Sequence, residues 1–295
     1  RWQVIANTLA EMRRSRALAF PEPDSAVLYM TDTIASTPGR VPGEQVGCLY
    51  TLLGPVAGCW FRFVDEYQLE RGEVDLSRFK AVMIPAGTHA RRSTVEALRG
   101  YVRQGGRVVA TDPGVFSFYA DGTPAAAARE EFFGVRLGET RRRAALIHDG
   151  ATLPLTGVSY AVEALPGAVT VSSFDDGTPG LVRHPVGAGE CWYFAANPCT
   201  LKALEMPAWQ QFSRDFHRGL GLATGQPIWR FRFPDRLVPE MPLPPGQCLT
   251  NNHIAWRHFK AITTANLDTG GTYSYSVPPD NIRDQGGTAD IPFDK

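Results

Sequence analysis

Four short apolar runs, at residues 26–30, 60–64, 81–85 and 107–111, restrict the fold of this chain more than any other feature. A strand with one wet face alternates apolar and polar side chains. A run that does not alternate suits a strand covered on both faces, as in a parallel sheet. The stretches between the runs have helical character at residues 45–53 and 93–103. In the second of these Val95, Leu98 and Val102 share a face, Ser93 stands where an N-cap is expected, and Gly105-Gly106 supplies a stop. Strand, helix, strand, helix in this order predicts an α/β fold, a doubly wound and mainly parallel sheet with right-handed crossovers.

After Pro113 the rhythm changes. Residues 125–133 read as a short helix, whereas 136–186 alternate as antiparallel strands do. Residues 174–179 form a turn in which Gly177 can take a positive φ, and 186–190 form a second turn leading into a strand at 191–195. Residues 207–220 return to helix with Trp209, Phe212, Phe216 and Leu220 on one stripe, and 228–233 read as an antiparallel or edge strand. The expected layout is a connecting helix at 1–19, an α/β domain with an antiparallel β extension at 20–233, a proline-rich linker at 234–246, and an incomplete β-rich tail at 247–295.

Thirty basic and thirty acidic side chains cancel. The chain therefore offers no long-range field for nucleic acid or anionic lipid, and no apolar run is long enough to span a bilayer. Its five cysteines include no Cys-x-x-Cys pair and are expected as buried free thiols, although Cys191 and Cys199 are close enough in sequence to bridge. The six histidines show no ligand spacing, and there is no phosphate-binding glycine motif. No metal and no cofactor are expected, and the compartment stays open.

Residues 76–86 followed by 95–110, together with the later stretch 177–194, resemble the class I glutamine amidotransferase-like domain of bacterial glycoside hydrolases, and in particular the β-galactosidase trimerisation domain. The resemblance spans roughly residues 24–222 and implies a flavodoxin-like fold with a role in subunit assembly, downstream of a catalytic barrel. A working amidotransferase places a cysteine on a tight turn after a strand and activates it with a histidine. Here the strand at 107–111 runs into Asp112-Pro113-Gly114, and the strand at 192–195 runs into Ala196-Asn197-Pro198. Nucleophile and base are both missing, and Cys199 has no histidine at a matching position.

Open α/β sheets bind ligands beyond the carboxyl ends of their strands. The candidate polar rim there is Asp32, Glu66, His89 and Asp112, with Trp60 and Tyr119 as sugar-stacking surfaces. A plain alternative is that these are loop residues capping helices. Three functions remain in play: an accessory, assembling module of a carbohydrate-active enzyme; a carbohydrate- or small-ligand-binding module using the strand-end crevice; and a hydrolase with its own site. The expected partners are further copies of the chain, an upstream catalytic domain, or a carbohydrate.

Overall fold

The computed structural model describes residues 22–37 and 41–225. The helix expected at 2–18, the strand at 228–233, the proline-rich linker and the 247–295 segment lie outside the described residues. Contacts gather Pro23–Thr224 into one compact unit.

The first half runs β1 (Ser25–Tyr29), α1 (Thr31–Ser36), α2 (Val41–Thr51) with a π-helical turn at Leu52–Val56, β2 (Phe61–Asp65), α3 (Glu66–Glu70), β3 (Ala81–Ile84), β4 (His89–Ala90), α4 (Arg92–Arg103), β5 (Arg107–Ala110), β6 (Phe118–Tyr119) and α5 (Ala126–Phe133). The second half runs β7 (Val135–Arg141), β8 (Ala145–His148), β9 (Ala151–Pro154), β10 (Ser159–Ala164), β11 (Val169–Phe174), β12 (Pro179–Val186), β13 (Gly189–Phe194), α6 (Leu201–Glu205) and α7 (Pro207–Gly219).

Nine strands form one sheet in the order β2-β1-β3-β5-β13-β12-β11-β8-β9. Neighbours are parallel from β2 to β13 and antiparallel from β13 to β9. The sheet is therefore mixed, which corrects the expectation of a mainly parallel one. The expected antiparallel extension is β12, β11, β8 and β9, which continue this same sheet, while β7 and β10 pair antiparallel in a two-stranded sheet of their own. β13 lies parallel beside β5, with Cys191 opposite Val108, and hairpins then build outward from it.

The unbroken apolar runs at β1, β3 and β5 are explained by burial, since Ala26, Val27, Val82, Met83, Ile84, Val108 and Val109 are all inaccessible or nearly so. The run at 60–64 is different. β2 is an edge strand, and Arg62 and Phe63 are exposed. The N-cap expectation at Ser93 also fails. Helix α4 starts after Arg91 with no side-chain cap of its own, and Glu66 serves that end from another element: the Arg91 N–H donates to Glu66 Oε1 at 3.2 Å and Thr94 Oγ1 to the same oxygen at 3.4 Å.

The segments carrying the resemblance touch. Gly187, at φ +62°, turns the β12–β13 hairpin against the end of α4, where Ala188 N donates to Arg103 O at 3.3 Å and Glu190 N to Gly106 O at 3.3 Å. A Cβ on Gly189 would lie 2.2 Å from Gly106 O and 2.3 Å from Val102 O. This glycine is required by backbone proximity.

Candidate functional site

Glu66 follows β2 directly and is fully buried. Its Oε2 accepts from Thr31 Oγ1 and Asp32 N, both at 3.3 Å, and its Oε1 accepts from Arg91 N and Thr94 Oγ1. Burial pushes its carboxyl above the usual range, against the lowering effect of the two backbone donors. Asp32 binds Arg91 Nε at 2.7 Å, and the same guanidinium reaches Glu70 at 2.8 Å and lies 4.0 Å from the Tyr67 ring centroid. Asp32 and Glu66 are thus brought together, and both are spent on joining α1, α3 and α4.

His89 is half-buried, stacks on Phe118 at 5.3 Å, and has Thr88 Oγ1 3.2 Å from its Nδ1. Its backbone is clasped by Thr33, whose hydroxyl donates to His89 O at 2.7 Å. Tyr119 carries the Arg92 guanidinium 3.8 Å from its ring centroid, so a cation already covers one face of the ring. Trp60 stands at the opposite end of the sheet from the rest. It precedes β2, next to the start of β1 where Ser25 Oγ donates to Trp60 O at 3.0 Å, whereas Glu66 follows β2.

Beyond β5, Asp112 is buried and holds the turn together. Gly87 N donates to its Oδ2 at 2.7 Å and Gly114 N to its Oδ1 at 2.8 Å, while burial raises its pKa. Tyr193 anchors the same turn by donating to Pro113 O at 2.7 Å. The turn ends in Phe116 at φ +53°, a conformation that L-residues other than glycine and Asn/Asp rarely adopt. Its ring is fully buried and meets Phe132 at 5.6 Å and Phe133 at 5.9 Å. The left-handed residue after the strand therefore presents an apolar ring to the core. Nothing in the local sequence marks it, since phenylalanine has no preference for that region.

After β13, the Asn197 side chain accepts from Cys199 N at 2.8 Å and shapes a turn. Cys199 donates to Thr111 Oγ1 at 3.6 Å, and burial pushes its thiol up to about 12. Cys48, Cys59 and Cys191 are likewise buried and free. The fold does place a histidine and Cys199 on the wall of one cavity, which the sequence spacing hides. His217 of α7 lines the same cavity of about 20 Å³, room for roughly one water. Ser213 Oγ donates to Leu52 O at 3.2 Å, so His217 Nδ1, also 3.2 Å from that hydroxyl, carries the proton. Burial lowers the His217 pKa to about 4. The cavity wall thus holds an inert thiol and a neutral imidazole, each hydrogen-bonded to another residue. Among the described residues, no group of three or more His, Cys, Asp or Glu is placed to hold a metal ion.

His217 leads to a pH prediction. The unfolded chain takes up a proton near the ordinary histidine pKa of 6.5, which the folded protein refuses until about 4. Stability from this group is thus fully present above the unfolded value and falls as pH drops through the window, by on the order of 3 kcal/mol in total. Glu66 and Asp112, with raised values, act in the opposite sense: they favour the fold at low pH and weaken it as pH rises. The comparison is therefore between proteins. Between pH 6.5 and 4 the urea midpoint of wild type should fall relative to that of His217→Asn, and parallel profiles would refute the assignment.

No family model matches the chain, and no curated protein matches it significantly. Solved structures do. A GH42 β-galactosidase from G. stearothermophilus superposes with a TM-score of 0.54 at 19% identity, covering 68% of this chain and 30% of that enzyme. A β-galactosidase from the Antarctic haloarchaeon Halorubrum lacusprofundi gives 0.54 at 18%, covering 68% and 31%. An exo-β-1,4-mannosidase from Opitutaceae bacterium strain TAV5 gives 0.53 at 18%, covering 75% and 39%. The likeness at these identities is one of fold: the α/β unit has the architecture of a portion of these glycoside hydrolases, and the chain matches well under half of their length.

Proposed function

We propose that this chain is an accessory, subunit-assembling module of a larger carbohydrate-active protein, with glycosidic chemistry carried by other parts of that protein. In this reading the unit is a flavodoxin-like, amidotransferase-like domain of the trimerisation type, and its doubly wound core is the run β2-β1-β3-β5-β13. One observation carries the proposal. The groups standing where an amidotransferase nucleophile and base would stand are committed to the fold. Asp112 spends both oxygens on Gly87 and Gly114, and Asn197 shapes a turn. Nearby Cys199 is a protonated thiol bonded to Thr111. The fold shared with glycoside hydrolases supports the parent class.

Two measurements on the 295-residue chain test this. Light scattering is expected to show a discrete oligomer, and a monomer at the highest accessible concentration would count against assembly. No turnover of aryl β-galactosides or of glutamine is expected; turnover abolished by Asp112→Asn or Cys199→Ala would replace the proposal with an enzyme.

A further inference from the structure

The edge of the sheet holds chemistry that the strand-end residues leave unused. The register Val27↔Phe63 and Tyr29↔Asp65, with the two-residue repeat of a strand, places Phe61, Phe63, Asp65 and Tyr29 on one face. Beside them Val46 of α2 completes an open pocket of about 310 Å³ with Tyr29, Phe63, Asp65 and Gln68. That volume lies at the lower end of small-molecule sites, roughly 300–1,000 Å³. Phe63 is 42% exposed; its ring meets Phe61 edge-on at 5.5 Å and lies parallel to the Tyr50 ring, whose centroid is 6.5 Å away.

The polar end of the pocket is pre-set. Gln68 N donates to Asp65 Oδ1 at 2.8 Å, and Asp65 N donates to Gln68 Oε1 at 3.1 Å. The reciprocal pair fixes both side chains and occupies one polar atom of each. What remains is an acceptor, Asp65 Oδ2, and a donor, Gln68 Nε2, neither hydrogen-bonded among the described residues. Such a pair beside an exposed ring suits a ligand with an apolar CH face and two adjacent hydroxyls, one able to donate and one to accept. No basic side chain lines the pocket, although Arg71 lies near enough to interact electrostatically with Asp65 from outside it. An anionic ligand would meet the Asp65 carboxylate directly.

We infer that this pocket binds a neutral pyranose sugar, with the Phe63 ring against its CH face and Asp65 and Gln68 reading a vicinal diol. The inference goes beyond the assembly role and does not depend on it, since a monomer could bind sugar and an oligomer could fail to.

The test is an NMR titration of the full chain with methyl β-D-glucopyranoside, galactopyranoside and mannopyranoside. Saturable shifts are expected at the amides of Phe63, Asp65 and Gln68 with at least one of them. Asp65→Asn keeps Oδ1 as the helix cap but turns the outward acceptor into a donor. It should melt like wild type and bind about tenfold more weakly, the scale of one lost charge-assisted hydrogen bond. Phe63→Ala, which removes an exposed ring, should weaken binding by a similar factor; if either variant melts early, the other decides. Three results would each overturn the inference: no saturable shift with any of the three sugars, affinity unchanged in the folded variants, or tighter binding of methyl β-D-glucuronide than of the neutral sugars.

Discussion

Gly189→Ala is expected to destabilise the protein by about 3 kcal/mol, the upper range for overpacking a filled site. A thermal melt should show a loss of roughly 6–12 °C in a unit of this size. The new methyl would overlap Gly106 O and Val102 O, which are backbone atoms of the turn after α4 and of the helix itself. Neither can swing aside as a side-chain tip would. Either the hairpin lifts off α4, losing the Ala188–Arg103 and Glu190–Gly106 bonds, or the helix end unwinds. The same chemical change at Gly47 should have the opposite sign. That residue is exposed on α2 with nothing within 4 Å of a built Cβ, so alanine there should stabilise by up to about 1 kcal/mol through helix propensity. A Gly189→Ala protein that melts with wild type would show that the hairpin does not press on the helix as described.

Glu66→Ala should be comparably severe. The substitution leaves the Asp32 and Arg91 N–H groups and the Thr31 and Thr94 hydroxyls without their shared acceptor. Unsatisfied buried donors cost about 1–3 kcal/mol each before relaxation, so a net loss of about 3 kcal/mol is expected. Glu66→Gln keeps the shape and one acceptor, and burial already favours the uncharged acid, so its loss should be less than half as large. Urea denaturation of the two variants reads the difference. Equal losses would mean that the negative charge, rather than the hydrogen-bond geometry, holds the three helices.

How much of this was legible in sequence follows from the range of each interaction. The central strands were, because burial on both faces leaves a local imprint in Val82-Met83 and Val108-Val109. The edge position of β2 was not, since Phe61 and Phe63 read as core residues although one wall of their surroundings is solvent. Helix α4 was visible in its apolar stripe, but its cap was not: the acceptor is Glu66, and Arg91 lies 25 residues further along the chain. For the candidate site, four rim residues do follow strand ends, but their roles are set by distant partners such as Arg91 for Asp32 and Gly87 for Asp112. Trp60 was placed at the wrong end of its strand for the rim, because an apolar run does not mark which of its residues enters the strand first. That His217 and Cys199 share a cavity wall depends on α7 packing over the sheet, which no spacing encodes.

The junction between β5 and β13 has a consequence for how the chain must be made. Arg107 and Glu190, paired across it, are 83 residues apart, and every strand on the far side of the sheet is anchored through this single seam. During synthesis the first four strands of the sheet can associate early, leaving β5 as a bare, highly apolar rim until the hairpin arrives. That interval is when the polypeptide is most open to pairing with a neighbouring nascent chain. Conditions that slow translation beyond residue 110 should therefore lower the soluble yield more than equal delays placed after residue 194.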